Sequence, residues 1–295
     1  MTAGEQGFLL LTGYLGNPER KPLTIPQFRT LTQRVRAMEK PKEDRELTQA
    51  DLIKLGYNHA FADRILSLLS QTEQLQWYVE TGARQDCYPI IRVSAGYPYC
   101  LRERLGLDAP GALWAKGDRT ILDKPAVALV GSRELLTENR KFAELLGAKA
   151  ARQGYVLISG HARGADRAAQ DSCLEHGGMV ISVVADQLEK HPLQKGVLYL
   201  SEEGFDLAFS AQRALQRNRI IHSLGDKTFV AQCTLGKGGT WNGTRKNLLS
   251  GWSPVFCFDD GSPASKELQQ FGAVLVDSSM LHNIALLQPT EQSFM

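Results

Sequence analysis

Between Pro125 and Val276, short apolar runs alternate with amphipathic segments, and three of the runs pass directly into glycine-bearing loops. Ala126–Val130, Tyr155–Ser159, Met179–Val184, Thr228–Cys233, Val255–Phe258 and Ala273–Val276 read as strands. Asn139–Gln153, Ala165–His176, Ser210–Ser223, Thr244–Ser250 and Ser265–Phe271 read as helices. Continuous apolar runs of this length mark strands buried on both faces. Strand–helix alternation at this spacing predicts an α/β fold with a doubly wound, mostly parallel sheet.

The preceding residues have a different texture. Ile25–Met38 and Leu47–Ser70 carry apolar residues at helical spacing, among them Leu52, Leu55, Phe61, Ile65, Leu68 and Leu69. Thr48, with Asp51 three residues on, is an N-cap candidate. Pro18, Pro22, Pro26 and Pro41 punctuate the region. Glu19–Arg45 holds eight Lys or Arg against four Asp or Glu. Two readings fit: a solvated helix surface or an accessory nucleic-acid contact. After Cys87, Pro89–Val93 and Ala112–Gly117 read as strands around an irregular connector. The expected organisation is a small helical N-terminal domain, residues 1–85, and an α/β domain, residues 86–295.

Composition narrows the class. The 295 residues are 43% hydrophobic and 22% charged, which excludes wholesale disorder, collagen and coiled coil. No apolar run reaches the ~18 residues of a membrane span, so no membrane partner is expected. The N-terminus lacks a basic segment, and no signal peptide is expected. The five cysteines, Cys87, Cys100, Cys173, Cys233 and Cys257, follow no zinc spacing and read as reduced thiols of a cytoplasmic protein. A net charge of +2 leaves room for a local basic patch.

Open parallel sheets bind ligands beyond the carboxyl ends of their strands. Three loops fall there: Gly131-Ser132-Arg133, Ser159-Gly160-His161-Ala162-Arg163-Gly164, and Gly236-Lys237-Gly238-Gly239-Thr240. Glycine lets backbone N–H groups approach a ligand with no Cβ in the way. A following helix N-terminus adds about half a positive charge and unpaired donors. Arg133 and Arg163 offer planar forks suited to phosphate, and Ser132, Ser159 and Thr240 offer hydroxyls. A single such loop can be a plain tight turn. Three on one edge point to a phosphate-bearing ligand. The dinucleotide fingerprint after the first strand and the Walker pattern are both absent. No cofactor, metal or catalytic residue is expected.

Arg213 and Arg217 lie one helical turn apart, and Arg217-Asn218-Arg219 extends the basic run. This is either a surface ion-pair face or a second set of phosphate contacts. One nucleotide needs few arginines, whereas Arg133, Arg163, Arg217 and Arg219 together suit successive phosphates of a single strand. His161 reads as a loop histidine that fits its place or as a pH-sensitive phosphate contact. Trp241 reads as a base-stacking platform or as packing under the sheet edge.

The ordered set Val130-Gly-Ser-Arg133, Ile158-Ser-Gly-His-Ala-Arg-Gly-Ala-Asp166 and Arg217-Asn-Arg-Ile-Ile221 resembles the DNA-processing protein A family, also called Smf. Gly177-Gly178, Ser201-Glu202 and the approach from Tyr97-Pro98 to Lys116-Gly117 extend the resemblance over Cys87–Val276. It implies an extended Rossmann-like fold with an N-terminal helical extension. It implies non-catalytic binding of single-stranded DNA, strand protection in transformation and recombination, loading of a RecA-type recombinase, and a homodimer. By resemblance, binding roles fall to Ser132, Arg133, Ser159, Gly160, Arg163, Gly164, Arg217, Asn218 and Arg219. The loop reading adds Gly131, Lys237, Gly238, Gly239 and Thr240.

The chain departs from the family pattern at His161, where leucine is usual, and at Ala165, where isoleucine is usual. It also departs in Ala185–Pro192, a glycine-rich segment in the family, and in Lys237–Thr244. No C-terminal winged helix is expected. A divergent member is expected, in transformation or in a mobile or defence context.

Two other classes compete. One is a nucleotide-binding sensor or nucleoside-phosphate-processing enzyme on the same fold. Gly238-Gly239-Thr240 resembles part of the motif of cytokinin-activating phosphoribohydrolases, but Arg245 stands where their glutamate assists cleavage. Asp166 is the nearest acid, and at a loop-to-helix junction an aspartate is more often a cap. The other class is a protein-docking scaffold, against which the convergence of basic loops argues.

Overall fold

The computed structural model describes residues 1–38 and 46–289. Pro41 and six charged residues of the basic stretch, Glu39, Lys40, Lys42, Glu43, Asp44 and Arg45, lie outside the described residues. Helices α1 (Ala3–Thr12), α2 (Ile25–Arg36), α3 (Gln49–Lys54), α4 (His59–Leu69) and α5 (Thr72–Arg84) precede β1 (Cys87–Ile91). There follow α6 (Tyr99–Leu105), β2 (Ala112–Gly117), β3 (Ala126–Val130), α7 (Thr137–Arg152), β4 (Val156–Ser159), α8 (Ala165–Glu175), β5 (Met179–Val184) and β6 (Val197–Glu202). The chain continues through α9 (Ala211–Gln216), α10 (Asn218–Leu224), β7 (Lys227–Val230), α11 (Gly238–Ser250), β8 (Val255–Phe258), α12 (Pro263–Gln270) and β9 (Val274–Val276).

The strands form one sheet in the order β1-β2-β6-β5-β4-β3-β7-β8-β9. Pairing is parallel from β6 to β9, while β1 and β2 add an antiparallel edge. The central strand β3 is buried along its whole length and alternates strictly. Val127 and Leu129 join the apolar layer under α7 and α8, while Ala126, Ala128 and Val130 join the layer under α10 and α11. Helices on both faces make this the expected α/β, Rossmann-like, doubly wound sheet. Gly147 explains how closely α7 and α8 lie: a Cβ there would stand 2.1 Å from the carbonyl oxygen of Ala169.

The N-terminal helices open on side chain–backbone capping pairs, Thr2 with Glu5, Thr24 with Gln27, and Thr48 with Asp51. Leu11, Leu23, Leu31, Leu52, Ala62, Ile65 and Leu68 form their own apolar cluster. Phe8, Leu9, Leu10, Leu75 and Tyr78 instead join the sheet core beside Trp114. Arg20 of the basic stretch is buried; its Nε donates to Gln71 Oε1 at 2.7 Å and its Nη2 to Leu10 O at 2.5 Å. Arg34 donates to Leu55 O at 3.0 Å. These two arginines hold the helical unit together.

The structure departs from the sequence reading in several places. Helices α1, α5 and α6 and strand β6 lie where no individual element was named. The segment Leu47–Ser70 splits at Gly56, whose φ of +83° ends α3, and Asn58 caps α4. The expected helix Ser210–Ser223 breaks at Arg217. Helix α11 starts at Gly238, six residues before the predicted Thr244, so its glycines belong to a helix. No helix among the described residues is long and apolar enough to cross a membrane.

Between α10, α11 and the edge of β7 lies a sealed polar group. His222 is fully buried, with Nδ1 3.2 Å from Asn247 Nδ2 and 3.3 Å from Thr228 Oγ1. Ser253 Oγ bonds both Thr228 and Asn247. Burial disfavours the imidazolium and pushes the His222 pKa down to about 3. Its unfolded value is near 6.5. Below that pH the unfolded chain binds a proton that the native fold refuses. Stability is therefore lost as pH falls from about 6.5 towards 3, at roughly 1.4 kcal/mol per pH unit from this group. Denaturant titrations across that range should show a shallower acid limb for His222→Gln than for the unaltered chain; equal slopes would rule out this histidine as the source.

Candidate functional site

The chain leaves β3 for β4 on one side and later returns to β7 on the other. The loops after β3 and β7 therefore diverge, and a crevice opens between them, as at the switch point of any doubly wound sheet. It measures ≈ 500 Å³. Its walls include Gly131, Ser132, Arg133, Lys237, Gly238, Gly239 and Thr240, with Arg217 and Asn218 on the floor. A second recess of ≈ 250 Å³ adjoins it beyond β4 and β5, sharing Arg133, Ala162, Phe209 and Arg217.

Close packing shapes the loops. A Cβ on Gly131 would stand 2.3 Å from the Cβ of Ala165. Gly164 has φ +88°, and a Cβ there would stand 2.4 Å from the carbonyl oxygens of Ser132 and Arg133. Ala165 N–H donates to Ser132 O at 3.1 Å. The loop after β3 thus rests on the start of α8. From the opposite wall, Thr240 Oγ1 donates to Gly131 O at 3.0 Å, and Asn218 Nδ2 donates to Gly239 O at 3.1 Å. Gly239 and Gly243, one turn apart on α11, leave room for Asn218.

Arg217 is the most buried of the crevice's cations. Only 8% of it is exposed, and its guanidinium lies across Gly160, where a Cβ would stand 1.8 Å from Nη1. Nη1 donates to Val183 O, while Nε has no hydrogen-bond partner. Asp166, also buried, accepts from Gly160 N–H at 3.1 Å and Ala162 N–H at 3.2 Å. Burial pushes the Asp166 carboxyl up, against the pull of Arg217 and of these two amides. Burial likewise lowers the Arg217 guanidinium, and Asp166 opposes it. No side chain caps α11, so the unpaired amides of its first turn sit at the crevice wall. The buried guanidinium of Arg217, the exposed cations Arg133 and Lys237, and a helix N-terminus concentrate positive charge on one crevice, an arrangement suited to a phosphate.

Not every residue read from the sequence joins this receptor. Ser159 is buried, and its hydroxyl accepts from Gln170 Nε2 at 3.2 Å. The Gly160 amide is held by Asp166, so this glycine makes room for Arg217 and donates nothing to a ligand. Arg219 points elsewhere: it pairs with Glu202 and donates through Nε to Asp108 O at 3.1 Å. Its partners line a separate recess against the N-terminal helices. Arg163 is 75% exposed, 3.4 Å from Glu134, at the rim of the smaller recess. Gly164 faces the groove between α7 and α8. Arg213 is a structural tie, donating to Ala185 O, Leu207 O and Ala208 O at 2.8, 2.8 and 3.0 Å. Trp241, 4% exposed, packs in the core under the sheet edge. Arg245 covers the ring of Phe271 at 4.5 Å, away from the crevice. His161 holds φ +58°, with Nδ1 2.9 Å from Gln170 Oε1, and burial lowers its pKa.

Two lining residues carried no signal in the linear reading. Phe209 is 57% exposed and lines both spaces, and Asp186 lines the smaller one. Among the described residues, no group of three or more His, Cys, Asp or Glu is arranged to hold a metal.

Comparison with known proteins gives a consistent result. A sequence model of the family described as DNA recombination-mediator protein A matches residues 89–280. Protein Smf of Escherichia coli (strain K12) is 30% identical over 185 residues, covering 57% of this chain and 49% of that protein. The chain thus spans about half the length of that relative. The X-ray structure of DNA processing protein A from Streptococcus pneumoniae superposes with a TM-score of 0.69 at 25% identity, covering 90% of this chain and 94% of that one. DNA processing protein A from Helicobacter pylori, solved to study its single-stranded DNA binding mode, superposes with a TM-score of 0.53 at 25% identity, covering 62% and 87%.

The contact between Gly160 and Arg217 is open to a direct test. Gly160→Ala should cost about 1–3 kcal/mol of stability, because a methyl group must displace a buried guanidinium. In an Arg217→Ala background most of that cost should vanish. Urea midpoints for the four members of this cycle read the coupling, and additive effects would show that the two residues act separately.

Proposed function

This chain belongs to the DNA recombination-mediator protein A family, and from that premise we propose that it binds single-stranded DNA through the crevice at the switch point of its sheet. The observation that carries this reading is the meeting of Arg133, Arg217, Lys237 and the first turn of α11 around one space. Single strands are held by cationic grooves that follow the backbone, with aromatic faces for the bases. Here Arg163 extends the cationic edge beyond the crevice, and Phe209 supplies an exposed ring between the two spaces. The Helicobacter relative's single-stranded DNA binding supports the choice of ligand.

In this reading each residue has a distinct role. Arg217 meets a phosphate through a fixed guanidinium that has already lost its solvent shell, so little rotamer entropy remains to be lost. Arg133, Arg163 and Lys237 neutralise neighbouring phosphates from the rim. Asp166 holds the loop after β4 in place by occupying two of its amides. No residue is assigned a catalytic role. We extend three further family traits to the chain: strand protection in the cytoplasm, delivery to a RecA-type recombinase, and pairing into a homodimer.

A second reading has one observation in its favour. A crevice of ≈ 500 Å³ lies within the ~300–1,000 Å³ typical of small-ligand pockets. A free nucleotide would fit such a space and would need no cations at the rim.

Fluorescence anisotropy with labelled oligo-dT at several salt concentrations separates the two. Arg133→Ala and Arg163→Ala should each weaken binding evenly across sequences and reduce the salt slope by about 0.7. Arg219→Ala should leave the slope alone, because its guanidinium is committed to Glu202. Displacement of the oligomer by a mononucleotide would favour the sensor reading. Unaltered affinity and slope in both rim variants would remove the crevice from consideration.

A further inference from the structure

The smaller recess differs chemically from the crevice beside it. Its lining includes three cations, Arg133, Arg163 and Arg217. It also includes Asp186, an anion that a phosphate would avoid. The Asp186 side chain is 50% exposed, yet its position is built. His191 Nε2 donates to its Oδ1 at 2.9 Å. His191 is itself held: 12% exposed, it stacks on Tyr199 at 4.8 Å and meets His161 edge-on at 5.3 Å. The His191 bond keeps the carboxyl below its ordinary range, and so ionised at neutral pH.

Arg213 fixes the same region from behind. Through Nη1 it ties Ala185 O, next to Asp186, to Ala208 O, next to Phe209. Its Nη2 donates to Ser201 Oγ at 2.9 Å. One guanidinium therefore sets the spacing between an exposed aromatic ring and an oriented carboxylate, and both line a space of ≈ 250 Å³. That is below the ~300–1,000 Å³ of drug-sized pockets, and it suits a single ring system.

We propose that this recess is a base-reading subsite in which Phe209 stacks on a nucleobase and Asp186 accepts hydrogen bonds from the Watson–Crick edge of guanine. The inference rests on the single-strand reading above and adds a sequence preference to it. An ionised carboxylate only accepts, and it has room for several donors, of which His191 takes one. Guanine presents two adjacent donors, N1–H and N2–H. Adenine and cytosine each present one exocyclic amine beside an acceptor nitrogen, which a carboxylate repels. Thymine presents one N–H between two carbonyls. The neighbouring phosphates would run back to Arg133 and Arg217, which line both the recess and the crevice.

The test compares two labelled oligomers of equal length with the full chain: oligo-dT, and oligo-dT carrying isolated guanines spaced to prevent quadruplex formation. Guanine should raise affinity about tenfold, the lower part of the range for a two-donor base contact. Replacing guanine by hypoxanthine, which lacks the N2 amine, should remove most of the gain. Asp186→Ala and the near-isosteric Asp186→Asn should each bring the affinity ratio of the two oligomers towards one. Arg133→Ala should weaken both oligomers and keep their ratio. Equal affinities in the unaltered chain, or a guanine preference that survives both Asp186 variants, would overturn the subsite while leaving salt-dependent strand binding in place. Failure to bind either oligomer would overturn the single-strand reading and the subsite with it.

Discussion

The site depends on one buried contact, the guanidinium of Arg217 lying across the bare backbone of Gly160. A cation in that position has little solvent and must be compensated nearby. Val183 O and the Asp166 carboxylate supply the compensation from below, and Asp166 also gathers the amides of Gly160 and Ala162. The loops after β4 and β5 and the break between α9 and α10 therefore form a single electrostatic unit. Two consecutive helices meet at Arg217, which caps both.

Much of this architecture was legible in linear order. The apolar runs beginning at Ala126, Tyr155, Met179 and Val255 coincide with strands, and the glycine-bearing loops after β3, β4 and β7 lie along the carboxyl edge of the sheet, as read. The role of the glycines was harder to read. Composition cannot tell a glycine that bares an amide to a ligand from one that clears space for a neighbour. Gly131, Gly160 and Gly164 do the second, for Ala165, Arg217 and the Ser132 and Arg133 carbonyls. Arginine posed the same ambiguity. Arg213, Arg217 and Arg219 are near neighbours in sequence, but one ties three carbonyls, one floors the crevice and one pairs with Glu202.

Two missed elements carried usable signals. Thr2 with Glu5 is a capping pair of the kind recognised at Thr48, and it opens α1. Val197-Leu198-Tyr199-Leu200 is as apolar as its neighbouring strands, but β6 follows β5 without an α-helix between them and so broke the expected alternation. Phe209 and Asp186 could not be found by pattern at all. They line one recess, and Arg213, on a later helix, bonds the residue before each.

The strand order has a consequence for how the protein is made. Ser132 N–H and its acceptor Gln232 O lie 100 positions apart, and β7 seats itself beside β3 only after β4, β5 and β6 have been laid down on the other side. Closing so long a loop is slow and brings its reward late. During synthesis the first half of the sheet can consolidate while one wall of the crevice is still inside the ribosome. A chain interrupted before β7 would thus present β3 as a bare parallel edge, open to pairing with other chains. Completion of the crevice and protection of the central strand are the same event.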